Sequence, residues 1–204
     1  MTEAESFLNS AKDSSLWLHK ANALFYSAET LFKESAQLRL EISEIADTPE
    51  GHNNRLQKSL NQLHSSQLLY GYAMETLLKC ILITAKPESV EFDLRSDASG
   101  NILEAKISQI GVPMNKGHDL SSLANAVGLI ERSQSPKEVK GILDYLTECV
   151  QWRARYPTPQ HSKKNSPLPS DKVANYMLHE FRYLFVPVYE DAIKLLDEML
   201  ESYD

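Results

Sequence analysis

Two cysteines, Cys80 and Cys149, are all that the 204 residues contain, and both fall inside apolar helical patterns. That excludes a disulfide framework and a cysteine-based zinc motif, and it predicts buried, reduced thiols in a cytoplasmic setting. Glycine is also sparse. Its seven occurrences are scattered, with no glycine-rich phosphate loop and no Gly-x-Ser-x-Gly elbow, so P-loop nucleotide hydrolysis and esterase chemistry drop out. The six histidines have no close metal-ligand spacing, and neither a metal nor another cofactor is expected. Positive charge is in deficit: the formal net charge of −7 argues against non-specific coating of nucleic acid, so any such site must be local. Long hydrophobic runs are missing too, because the most apolar window, LLYGYAMETLLKCILIT, is interrupted by Glu75 and Lys79. The opening MTEAESFLNS carries acids where an export signal carries lysines, so neither export nor membrane insertion is indicated.

What remains is helical periodicity. Leu24, Ala28, Leu31 and Leu38 share one stripe of a first long helix, which DTPEGHNN breaks after about Asp47. A second run from about Arg55 to Ala85 carries Leu56, Leu60, Leu63, Leu77 and Ile81, and Pro87 ends it; the two helices should form an antiparallel hairpin. Short helices are expected over Ile102 to Ile110 and Leu120 to Ile130, the latter capped by Asp119. Ser135, Pro136 and Glu138 give the clearest helix start, a capping box with proline at the first helical position. After the proline-rich YPTPQHSKKNSPLPS, a last long helix is expected to kink at Pro187. Its aromatic residues Tyr176, Phe181, Tyr183, Phe185 and Tyr189 read as packing rather than a base-stacking platform. The sum is a single all-α domain over residues 1–204, an up-and-down bundle of four long helices with short inserted helices.

Two features depart from that background. On the second helix, Gln67, Gly71, Glu75 and Lys79 recur every four residues and form a narrow polar stripe on an otherwise apolar surface. The stripe reads first as water-facing, with Glu75 and Lys79 an exposed ion pair; the alternative is a buried functional carboxylate with a partner. The second feature is Gln151 to Ser170, which has no acid but carries Arg153, Arg155, His161, Lys163 and Lys164. Arginine grips phosphate bidentately and histidine exchanges protons near neutrality, so this segment can bind a phosphodiester or assist its cleavage without a metal. The competing reading is cations complementing a helix C-terminus, with Trp152 and Tyr156 anchoring the loop that follows.

The order YGYAMETLLKCILI, KGHDLSSL and WRARYP between two helices resembles the HEPN-like helical domains of bacteria and archaea. The likeness runs from about Leu63 to the C-terminus, so that residues 1–50 would be a long N-terminal helix and 55–204 a HEPN-like core. The resemblance implies a bundle that often dimerises and, in many relatives, a metal-independent ribonuclease with a closely spaced active Arg and His. Arg155 and His161 match that pair, and Glu75, Lys79, His118 and Asp119 match family-like positions. The family's pair normally lies within a helix, whereas Pro157 and Pro159 stand between these two residues. The expectation is recognition of RNA or a nucleotide phosphate in a defence or toxin–antitoxin setting, with little or no catalysis. The alternatives are a non-catalytic helical protein–protein interaction module and a ribonuclease using Arg155 and His161. Ile193, Leu196, Met199 and Leu200 near the end of the last helix predict a homodimer.

Overall fold

A computed structural model of the protein describes residues 2–44, 48–155 and 180–202. The chain is mostly helical, with seven α-helices and one two-stranded hairpin among the described residues. Helix α1 (Glu3–Lys12) begins with a capping box in which Thr2 and Glu5 exchange backbone and side-chain hydrogen bonds. Asp13 ends it in extended backbone and accepts from the Ser15 N–H at 3.0 Å, which starts α2 (Ser14–Glu44).

Helix α3 (Pro49–Ala85) starts earlier than the sequence reading placed it. Thr48 accepts from the Gly51 N–H at 3.2 Å, and Pro49 occupies the first helical position, where its missing N–H costs nothing. Helices α2 and α3 run antiparallel, as expected. Ser35 and Ser59, both fully buried, donate to each other's carbonyls at 2.7 and 2.9 Å, while further along Cys80 Sγ lies 3.2 Å from the Ser14 carbonyl. The length and apolarity of α3 match those of a membrane-crossing helix, but most of its apolar stretch is buried inside the protein, as a core helix requires.

The helix expected over Ile102 to Ile110 is instead a strand. Strand β1 (Val90–Ser96) pairs antiparallel with β2 (Ile102–Ile110), from Val90 opposite Ile110 to Ser96 opposite Ile102, with two register shifts. The physical reason is visible in VEFDLR, which alternates apolar and charged residues at the strand period of two. Asp97 closes the turn by accepting from Ser99 and Asn101, and Gly100 supplies the positive φ of 86° that the turn needs.

The expected helix from Leu120 to Ile130 is split into α4 (Leu120–Ala126) and α5 (Leu129–Arg132) by Gly128, whose φ of 76° interrupts the helical path. Pro136 opens α6 (Pro136–Glu148) at the position read from sequence, but the capping box does not form: Ser135 makes no side-chain cap bond. Its backbone N–H is held instead by the Ser133 hydroxyl at 3.1 Å, and its carbonyl takes the Glu138 and Val139 N–H groups. Helix α6 widens into a π turn at Cys149–Arg153.

The last helix, α7, is described over Phe181–Glu201 with Pro187 inside it. Phe181, Phe185 and Tyr189 pack into the core, with Phe25 stacked on Tyr189 at 4.4 Å and Tyr70 meeting Phe185 at 4.9 Å. Tyr183 is 71% exposed, an exception to the packing reading, and Tyr176 lies outside the described residues. Leu196 is buried and Ile193 and Met199 pack against the core, so of the four residues that motivated a dimer surface Leu200 alone is exposed. Both cysteines are buried free thiols, and burial pushes Cys80 up to about 11 and Cys149 up to about 12.

Candidate functional site

The polar stripe of α3 is not a solvent face. Gln67 is 1% exposed and accepts from the Tyr145 hydroxyl of α6 at 2.9 Å. One turn on, Gly71 lies where the end of α6 packs tightly against α3. A Cβ there would lie 2.6 Å from Val150 Cγ2 and 3.3 Å from the Leu146 carbonyl, so only hydrogen fits. One turn further, Glu75 is 7% exposed, which overturns the expectation of an exposed ion pair. Burying a carboxylate requires partners, and among the described residues Glu75 has two. Lys79 Nζ donates to Oε1 at 2.6 Å, and His118 Nδ1 lies 3.0 Å from both Oε1 and Oε2.

These three side chains differ sharply in access. The Lys79 side chain is 14% exposed, whereas 64% of the His118 side chain faces solvent. His118 is positioned by its neighbours on both sides. Lys116 Nζ pairs with Asp119 Oδ2 at 3.1 Å, and Asp119 Oδ1 caps α4 by accepting from the Ser122 N–H at 3.0 Å, as the sequence indicated. Burial works to raise the Asp119 carboxyl, but Ser122 and Lys116 outweigh it and hold the group below its usual value. The Leu120 N–H then donates to Thr147 Oγ1 of α6 at 3.0 Å, which ties the 116–120 segment to the helix that ends in the arginines.

At that end the two arginines differ in exposure. Arg153 is committed: its guanidinium meets Glu148 at 2.8 Å and lies 4.8 Å from the Trp152 ring centre and 5.9 Å from that of Tyr145. Arg155 is exposed, and its Nη1 reaches the Val150 carbonyl at 3.4 Å. Val150 is the residue against Gly71, one helical turn or about 6 Å along α3 from Glu75. The Glu75–Lys79–His118 cluster and the arginine-bearing turn therefore occupy the same flank of α3. His161, Tyr156, Lys163 and Lys164 lie outside the described residues, so the Arg155–His161 pairing belongs to sequence alone.

Lys116 and Thr147 were missed by the sequence reading. Lys116 stands two residues before His118 in KGHD, close enough to have been weighed with it, whereas Thr147 carries no local signal. Among the described residues no group of three His, Cys, Asp or Glu side chains is placed to hold a metal ion. Comparison of the chain with protein-family models, with curated proteins and with solved structures gives no match.

Proposed function

We propose that the chain is a HEPN-like helical protein, built on an up-and-down arrangement of α2, α3, α6 and α7, that recognises RNA or a nucleotide phosphate. The defence or toxin–antitoxin setting follows from the resemblance alone, while the cytoplasmic location and the pairing of two copies, read from the cysteines and from the apolar end of the last helix, are also part of this reading. The observation that supports recognition most is the buried Glu75, which gathers Lys79 and His118 on the flank of α3 that also receives the arginine-bearing end of α6. Basic side chains from three separate segments are thereby brought together in an acidic protein, Lys79 against Glu75 and Lys116 against Asp119, in the kind of polar setting a phosphate site is built from. Arg155 serves as the phosphate ligand at the exposed edge, while Arg153, paired and stacked, holds the turn in shape.

The experiment is binding of a fluorescent single-stranded RNA by the full chain and by Arg155→Ala, read by anisotropy beside a thermal melt. The expected result is loss of binding with the midpoint within about 2 °C of wild type, as for an exposed side chain. A melt lowered by many degrees with binding intact identifies Arg155 as structural and sinks the reading.

A second reading, a helical interaction module, is favoured by a groove of about 510 Å³ between α5, α6 and α7, lined by Leu129, Ile142, Leu184 and Val188 with Tyr183 at its edge. Absence of RNA binding at low salt would shift the balance toward it.

A further inference from the structure

Among the described residues, the His118 ring is fastened at one edge only. Its Nδ1 faces both oxygens of the Glu75 carboxylate, and the rest of the ring is directed away from that anchor with most of the side chain exposed. An ionised carboxylate can only accept, so Nδ1 carries a proton whether the ring is neutral or charged. The character of the opposite nitrogen is then forced. Nε2 presents a lone pair in the neutral ring and an N–H in the imidazolium. A phosphate oxygen, itself an acceptor, is turned away by the first form and bound by the second.

The surrounding charges sharpen the consequence. From α3 come Glu75 and Lys79; from the turn before α4 come Lys116 and Asp119; and α6 contributes the uncharged Thr147 hydroxyl through Leu120. Among the described residues two anions face two cations, so with a neutral ring they carry no net charge, and protonation of His118 supplies it.

We infer that phosphate binding at this cluster is proton-coupled: a phosphodiester oxygen is gripped by the outward Nε2–H of His118, with one proton taken up per phosphate held there. The inference rests on the phosphate-recognition reading above and assigns the group and the proton to it.

The test uses an oligoribonucleotide without a terminal phosphate, because phosphodiesters do not titrate near neutrality. Its Kd is measured with the full chain at intervals between about pH 5.5 and about pH 8.5. The wild type is expected to weaken by up to about tenfold per pH unit over the alkaline part of the range, the limit for one linked proton. His118→Gln should bind with little pH dependence, near the wild-type alkaline affinity. Glu75→Gln provides a second check, since its amide can donate to Nδ1 and let a neutral ring present Nε2–H outward; binding should then persist at alkaline pH. Should that variant fold poorly, the His118→Gln comparison decides alone. Wild-type binding that is flat with pH, or a slope unchanged in His118→Gln, overturns the proton coupling and leaves phosphate recognition standing. No binding at any pH overturns both.

Discussion

Helices α2, α3 and α7 meet at a network whose removal should be felt throughout the molecule. Glu29, 9% exposed, receives Arg182 Nε and Nη2 at 2.8 Å each and the Tyr70 hydroxyl at 2.5 Å. Arg182→Ala leaves that carboxylate with the tyrosine as its hydrogen-bond partner and Lys33 as a nearby cation. Hydrogen bonds to charged groups contribute about 1.5 to 3 kcal/mol, and breaking a buried pair from one side costs about 3 to 5 kcal/mol. The Arg182 side chain is 28% exposed, so water enters the vacated space and the cost falls below that of a fully buried pair, to about 2 to 3 kcal/mol. For a chain of this size that corresponds to a fall in midpoint of about 4 to 12 °C, measured by circular dichroism on heating and checked by urea unfolding. A loss below about 1 kcal/mol would refute the reasoning, as would strictly additive effects of Glu29→Gln and Arg182→Ala.

The acid limb of stability should change with it. Burial raises the Glu29 carboxyl, but Arg182 and Tyr70 outweigh burial and hold it below the ordinary value of 4.5. A depressed folded-state value means that the unfolded chain binds more protons, so the contribution is complete above about pH 4.5 and is lost as pH falls through the folded value. In Arg182→Ala that part of the acid dependence should flatten.

Gly71→Ala should destabilise, because overpacking against Val150 costs about 1 to 3 kcal/mol while alanine returns about 1 kcal/mol of helix propensity; Val150→Ala should restore the loss, and failure of that rescue counts against the close contact. Cys80 and Cys149, buried and with thiols pushed up to about 11 and about 12, should react with a thiol reagent at pH 8 only in denaturant, and rapid labelling of the native chain would contradict their packing. Purified protein incubated with structured and single-stranded RNA and a chelator should show little or no cleavage, since Pro157 and Pro159 prevent one helix from carrying both Arg155 and His161. Robust cleavage that disappears in His161→Ala would restore that pair as catalytic.

The elements legible in the sequence are those whose signal is local and long. Leucine stripes fixed the α2–α3 pair, and Asp119 was readable as a cap because its partner Ser122 is three residues away. The hairpin was missed although Val90, Phe92 and Leu94 alternate with Glu91, Asp93 and Arg95. Its second strand does not alternate cleanly: Ile102 and Leu103 are adjacent, and the pairing slips twice. Ser135 and Glu138 had the right residues for a capping box, yet Ser133 took the N–H that the box would have used. That competitor is visible only once the turn is folded.

The polar stripe shows the same limit from the side of function. A helix that is apolar nearly all round offers no solvent face, so each polar residue on it must be satisfied from elsewhere in the chain. Tyr145 reaches Gln67 from 78 positions away and His118 reaches Glu75 from 43, separations at which sequence periodicity carries no information. Taking the stripe as water-facing assigned its polar groups to solvent, whereas folding assigned Gln67 to α6 and Glu75 to Lys79 and the turn before α4. That reassignment gives the flank its chemical character. A carboxylate in water would leave a nearby imidazole free to turn, but the buried Glu75 fixes which nitrogen of His118 faces outward and makes the charge of the ring decide what can approach.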